Sequence, residues 1–373
     1  MLRRIALWCW KVNCEANWAE SDRLRTVELS LLRRMINKAP KGSINLALGE
    51  LGFPFPRLLA NYASSILQDA NPCYTANAGM IELREKIAEK YYRAQSDTIC
   101  ICNGAEESLY IALQVLINSG DIVAIPDPDY PAYTSLTKLA GAKIIRPPFL
   151  KGFTEIDLDL WDKMLEGTKI LLLSNPSNPS GFCFDQAQFE SLAKILNRRG
   201  IILIVDEIYS DLYIHMPYRL EYKLVDRIIV INGLSKSHLM SGWRIGWLYA
   251  DKEFISAATK LKQYISTCSS WLSQKLAYFA VDQQQIPDEI RQNLNINQRL
   301  VQSILQDYNL HIPTNGPYIM FQVHDSLSAA EEYLQKGVIT APGISFGART
   351  KDWIRINIGL QDSILQSALK RLI

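Results

Sequence analysis

Short apolar runs and stretches of helical period alternate along most of the chain. Residues 99–102, 122–125, 143–146, 169–173, 201–205, 227–231 and 246–250 are runs of mostly apolar positions, with the length and character of buried strands. Between them, apolar positions recur at intervals of three and four. The stretch after Gly104 carries Leu109, Ala112, Leu113 and Leu116 on one face, and residues 80–92, 185–197 and 260–280 also read as helices, the last joining two lobes. Near the start, Leu24, Val27, Leu31, Leu32 and Met35 predict a helix within residues 16–39, stopped by Pro40, Lys41 and Gly42. Strands alternating with helices predict an α/β fold whose largely parallel sheet is covered on both faces, with ligands gathering at the C-terminal ends of the strands.

Composition narrows the function classes. A chain of 373 residues, 48% of them hydrophobic, buries a large core, and its length favours two domains or one large and one small lobe. Its 40 basic and 38 acidic residues nearly cancel, so neither nucleic acid nor a membrane surface is indicated as a partner, and small-molecule chemistry is favoured. The seven cysteines, Cys9, Cys14, Cys73, Cys100, Cys102, Cys183 and Cys268, are odd in number and scattered, as expected of reduced thiols in a cytosol. Cys100 and Cys102 alternate on one strand with no histidine near them in sequence, and His215, His238, His311 and His324 show no ligand spacing, so no metal site is expected. Two arginines open the chain ahead of an apolar run at residues 5–10, but that run is too short for a signal sequence and no small-residue cleavage site follows it. No stretch approaches the roughly 20 apolar residues that span a bilayer. A soluble, cytoplasmic protein is expected.

Candidate chemistry centres on residues 231–247, INGLSKSHLMSGWRIGW. Lys236 sits beside Ser235 and ahead of Arg244, a set that suits a phosphorylated aldehyde: serine and arginine hold the phosphate while a deprotonated lysine amine takes the carbonyl. Gly104, Ala105 and Glu106 lie where a strand turns through glycine into a helix, and the unpaired N–H groups and positive dipole end there suit a phosphate. Glu106 and Glu107 also read as favourable first-turn acids, and a carboxylate beside a phosphate would have to point away. Asp206 ends a hydrophobic strand, a costly place for a charge that is not matched. Each residue also has a plainer reading: Lys236 as a solvated loop lysine, Asp206 as a cap or ion-pair partner, Tyr130 as a packed turn residue, Arg355 as an edge-strand surface arginine.

Taken in order, these segments resemble the class I/II aminotransferases, the fold-type I enzymes that use pyridoxal phosphate. Ser235, Lys236, Gly242, Arg244 and Gly246 match the family pattern Ser-x-Ser-Lys followed by Gly-x-Arg-x-Gly, although Gly233 stands where many members carry a phosphate-binding serine or threonine. Tyr74, Gly79, Leu83 and Arg84 match Tyr-x-x-x-x-Gly-x-x-x-Leu-Arg, PDPDYPAY resembles Pro-x-Tyr-Pro-x-Tyr, and NPSNPSG resembles Asn-Pro-x-Asn-Pro-Thr-Gly with Ser180 for the threonine. The motifs keep the family's order from Gly49 to Arg355.

The resemblance implies a large domain with a mainly parallel seven-stranded sheet flanked by helices, and a smaller α+β domain built from both chain ends. Expected divisions are residues 1–47 as an N-terminal helix and linker contributing to the small domain, 48–262 as the large cofactor-binding domain, and 263–373 as the C-terminal small domain. It further implies pyridoxal 5'-phosphate as cofactor, joined to Lys236 as an aldimine. The phosphate lies in the cup of Gly104, Ala105 and Glu106 with Ser235 and Arg244, Tyr130 over the ring, Asp206 at the ring nitrogen, and Asn178 and Tyr209 at the ring oxygen. Gly49 brings backbone close to the substrate, Asn178 also meets it, and Arg355 clamps its α-carboxylate. Tyr74 reaches the phosphate of the other subunit, so a homodimer with shared active sites is expected. The implied reaction moves an amino group between an amino acid and a 2-oxo acid. A carbon-sulfur lyase, a decarboxylase or a non-catalytic sensor on the same fold stays open. Residues 266–271 offer no arginine for a second carboxylate, which disfavours an acidic substrate.

Overall fold

The computed structural model describes residues 19–68, 71–150, 153, 155–212, 220–313 and 316–373. Cys9, Cys14, His215 and the apolar run at residues 5–10 lie outside the described residues.

A short strand, β1 (Ile44–Asn45), precedes the main sheet. That sheet comprises β2 (Ile99–Cys102), β3 (Ile122–Ala124), β4 (Lys143–Ile145), β5 (Ile170–Ser174), β6 (Ile202–Asp206), β7 (Ile228–Gly233) and β8 (Gly246–Tyr249), in the spatial order β2-β8-β7-β6-β5-β3-β4. The pairs β3–β4, β3–β5, β5–β6 and β6–β7 are parallel, and β8 runs antiparallel to both β2 and β7. The mainly parallel seven-stranded sheet is the one the sequence predicts.

Every residue of β5 and β6 is buried, which explains why both read as unbroken apolar runs. Ile170, Leu172, Ile202 and Ile204 pack on the side that holds Leu109 and Ala112 of the helix Ala105–Leu116. Leu171, Leu173, Leu203 and Val205 pack on the other, with Phe189 and Leu192 of the helix Gln186–Arg199. A two-residue side-chain period thus serves both layers.

The C-terminal part adds β9 (Leu310–His311), β10 (Tyr318–Gln322), β11 (Val338–Ile339), β12 (Ala341–Pro342) and β13 (Trp353–Asn357). Four of them form an antiparallel sheet in the order β12-β13-β10-β9, while β11 pairs in parallel with β1. The early and late parts of the chain therefore meet, and β13 lies inside its sheet.

Three helices differ from the expectation. The described part of residues 16–39 holds two helices, Asp22–Arg25 and Leu31–Lys38, because the Ser30 hydroxyl accepts the Arg33 N–H at 3.2 Å and starts a second one. Residues 260–280 are likewise broken, into Lys252–Ile265 and Trp271–Ala280. The interruption is the serine- and threonine-rich run Ser266, Thr267, Cys268, Ser269 and Ser270, in which Thr267 is left-handed at φ 60° and the Ser270 side chain accepts the Ser273 N–H to start the next helix. Within residues 80–92, the α-helix Ile81–Ile87 widens into a π-helical turn at Ala88–Tyr92 and stops at Arg93, φ 51°.

Candidate active site

The C-terminal ends of β2, β3, β5, β6 and β7 open on a cavity of about 840 Å³. Lys236 follows β7, and its Nζ donates to the Gly49 carbonyl at 2.7 Å. Burial lowers its pKa to about 8 against the pull of Glu50 and Asp206, and Arg355 and Arg244 add to the lowering. An amine so placed is neutral far more often than one on the surface, so the solvated-loop reading does not hold.

Asp206, the last residue of β6, is buried. Its oxygens accept the Ile208 N–H at 3.0 Å and the Tyr133 hydroxyl at 2.9 Å. Burial raises its pKa to about 6, although both hydrogen bonds and the Lys236 charge oppose the rise. The carboxyl faces the cavity without an arginine or lysine bonded to it, a position that suits a cationic ligand atom.

Arg355 sits on β13 between β12 and β10, so it is neither an edge-strand nor a surface residue. Its Nη1 donates to Asn178 Oδ1 at 3.0 Å and its Nη2 to the Ala47 carbonyl. The guanidinium carbon lies 4.1 Å from the Tyr318 ring centre and 4.8 Å from that of Phe346, and Nε is buried with no hydrogen-bond partner. A buried donor left over in a cavity wall fits an anion.

The anion cup is packed tightly. Gly104 caps the helix Ala105–Leu116 at φ 87°, and a Cβ there would come within 2.6 Å of Arg244 Nη2. Arg244 is itself left-handed, φ 52°, and its Nη1 donates to the Ser241 carbonyl at 2.9 Å. Glu106 lines the cavity, where lost hydration and the Asp206 charge raise its pKa, with Arg244 and Lys236 opposing. At Gly233 a Cβ would meet the Ile245 carbonyl at 2.8 Å, so a serine or threonine there has no room.

Gly49, Ala105, Glu106, Tyr130, Asn178, Asp206, Tyr209, Ser235, Lys236, Arg244 and Arg355 all line this one cavity. Gly104 lies just behind its wall, at the helix cap. Tyr74 is not among them: it is 85% exposed and sits in a surface groove with Leu67, Trp271 and Leu272.

Sequence reasoning missed several groups. Tyr133, which holds Asp206, is the second tyrosine of the DYPAY turn and had that signal. Tyr318, whose hydroxyl lies 2.5 Å from that of Tyr209, follows Gly316-Pro317 and had none. Asp129 accepts the Ser174 hydroxyl at 2.7 Å, and Ser174 Oγ accepts the Asn178 N–H at 3.0 Å, so a buried carboxyl fixes the loop of Asn178. Residues 27–33, the link between the first two helices and the first turn of the second, form part of the cavity wall. Among the described residues, no three His, Cys, Asp or Glu side chains gather to hold a metal ion, and no helix is long and apolar enough to cross a membrane.

Fold and cavity together define a lysine-centred enzyme of the α/β class. Residues 41–372 match the family Aminotransferase class I and II. The chain is 30% identical over 367 residues to the probable aspartate aminotransferase of Methanocaldococcus jannaschii, covering 94% of this chain and 97% of that one. It is 32% identical over 377 residues to the probable N-acetyl-LL-diaminopimelate aminotransferase of Bacillus subtilis, covering 94% of each. The solved aspartate aminotransferase of Thermus thermophilus with maleate shares the fold, with a TM-score of 0.88 at 23% identity over 95% of this chain and 98% of that one. The chain belongs to the class I and II aminotransferases, and its activity is that of an aminotransferase.

Proposed function

We propose that the cavity binds pyridoxal 5'-phosphate, attached through its aldehyde to Lys236 Nζ, and that the chain moves an amino group between a small amino acid and a 2-oxo acid. The observation that carries this reading is the half-buried Lys236, its amine held 2.7 Å from the Gly49 carbonyl in one cavity with the buried Asp206 and Arg355. The residues present fit such a group: a cup that a Cβ at Gly104 would fill, a buried carboxyl and an unpartnered buried guanidinium nitrogen.

When bound, the cofactor supplies an electron sink for the charge that develops at the substrate Cα. The chain's own residues do the rest. The first N–H groups of the helix Ala105–Leu116, with Ser235 and Arg244, hold the phosphate. Asp206 would favour a proton on the ring nitrogen, Tyr130 would pack against the ring, and Asn178 and Tyr209 would hydrogen-bond its oxygen. Arg355 would orient the substrate by its α-carboxylate, and the Lys236 amine would move the proton at Cα. The active assembly is a cytoplasmic homodimer, in which the exposed Tyr74 serves the phosphate of the second copy.

Borohydride reduction of the protein with its cofactor, followed by peptide mapping, tests the assignment. The cofactor mass is expected on the peptide containing Lys236, and Lys236→Ala is expected to lose both label and turnover. Label on another lysine, or turnover retained in the variant, would overturn it.

A further inference from the structure

Behind the anion cup a lysine is completely buried. Lys262, in the helix Lys252–Ile265, has 0% exposure, and its Nζ donates to Glu107 Oε2 at 2.8 Å and to Ser266 Oγ at 2.9 Å. Glu107 is fastened in turn to the residue before the cup. Its Oε2 accepts the Asn103 N–H at 2.6 Å, and its Oε1 accepts the Asn103 side-chain amide at 3.0 Å. The Asn103 carbonyl then accepts from Arg244 Nη2 at 3.3 Å. The relay from Lys262 through Glu107 to Asn103 ends on both partners a phosphate would use, the turn into the helix and the arginine facing it. Lys262, Glu107 and Asn103 themselves do not line the cavity.

A buried ion pair is a poor device for stability alone, because two desolvated charges regain only part of their lost hydration, and an apolar pair of similar volume is commonly as stable. What it supplies is register. The free N–H groups at the helix start point wherever the turn before them is held, and the cup has little slack: a Cβ at Gly246 would come within 2.7 Å of the Ala105 nitrogen.

We propose that Lys262 and Glu107 are positioning residues for an anion, holding Asn103, and through it the cup and Arg244, in the geometry that binds the phosphate end of the cofactor; this rests on the reading that the cup takes that phosphate. The pair then discriminates a phosphorylated aldehyde from an unphosphorylated one. Lys236 takes the carbonyl of either, whereas only the phosphate uses the cup.

Apo-protein of the wild type, Lys262→Met, Glu107→Gln and the double variant K262M/E107L is titrated with pyridoxal phosphate and, separately, with pyridoxal. Thermal unfolding of each apo-protein checks the fold. The double variant removes the pair without stranding either charge. Affinity for pyridoxal phosphate is expected to fall about tenfold or more, the range that partners orienting a ligand-binding group contribute, with pyridoxal affinity within about twofold of wild type. Unchanged affinity for pyridoxal phosphate in the folded double variant would overturn the proposal, as would an equal fall for both aldehydes. A wild type that binds no pyridoxal phosphate would sink the cofactor reading instead. The pair is then judged on inorganic phosphate by calorimetry, where weaker binding in the double variant supports it and equal binding overturns it.

Discussion

The Tyr318 hydroxyl lies 2.5 Å from the Tyr209 hydroxyl, and the contact ties the arginine side of the cavity to the aspartate side. Tyr318 comes from β10 and lays its ring 4.1 Å from the Arg355 guanidinium, while Tyr209 follows β6 three residues after Asp206. Burial, helped by Tyr318, raises the Tyr209 pKa well above that of a free phenol, so it stays a neutral hydroxyl that donates one hydrogen bond and accepts another. The segment at Gly49 passes against this pair. A Cβ there would overlap the Tyr318 hydroxyl, which is the physical reason for glycine at the point where the backbone carbonyl meets Lys236.

If the two hydroxyls act as a unit, removing either one loses most of what removing both loses. Tyr318→Phe is expected to lower kcat/KM about fivefold, the equivalent of about 1 kcal/mol for one shared hydrogen bond. In a Tyr209→Phe background the same change is expected to cost little, giving a coupling energy of about 1 kcal/mol in the double-mutant cycle. Strictly additive losses would show that the hydroxyls work separately.

Arg355 offers a planar fork held by Asn178 and the Ala47 carbonyl, with Nε buried and unpartnered. Lysine has the charge but not the fork. Arg355→Lys is therefore expected to lower kcat/KM roughly a hundredfold, about 3 kcal/mol for lost charge-assisted hydrogen bonds. Most of the loss should appear in KM, with cofactor affinity unchanged by direct titration. A KM equal to wild type would remove Arg355 from substrate binding.

The Lys236 amine carries a pH signature. Its pKa is lowered from the ordinary 10.5 to about 8 by burial, so the neutral nucleophilic form grows as pH rises through 8. Capture of pyridoxal by apo-protein, trapped with borohydride, is expected to reach its half-maximal rate near pH 8. A midpoint near that of a free lysine would mean that the amine is open to water.

The main sheet was legible because its middle strands are buried on both faces and so read as continuous apolar runs, and the turn motifs after them carry chemistry that few loops repeat. Less legible were features whose cause lies far away in sequence. Lys262 reads as one more polar position on an amphipathic helix, and its burial depends on a carboxylate 155 residues earlier. Tyr318 looks like any aromatic in a strand until β10 brings it over Arg355. The break at residues 266–270 was a matter of weighting: helical period on both sides outvoted five small polar residues whose side chains favour local backbone bonds.

Asp129 gives a test in which stability and catalysis separate. It is 1% exposed, and burial raises its pKa to about 7 even though the Ser174 hydroxyl, the Tyr130 N–H and the Arg146 charge favour the ionised form. An acid whose pKa is higher in the folded chain than in the unfolded one binds its proton more tightly when folded. Its contribution is thus fully present below the unfolded value of 3.8 and is lost as pH rises towards 7. In Asp129→Asn the side-chain amide never ionises, and its oxygen can still accept the Ser174 hydroxyl and keep the tether to Asn178. That variant is therefore expected to keep kcat/KM within about threefold, a cost below that of one lost hydrogen bond to a charged group. Its thermal midpoint should rise relative to wild type between pH 5 and pH 8, by an amount equivalent to at most on the order of 3 kcal/mol. Asp129→Ala, which cuts the tether, should lose activity at both pH values. A midpoint difference between Asp129→Asn and wild type that does not move with pH would show that the carboxyl is ionised throughout, and with it that burial at this turn is weaker than the folded chain suggests.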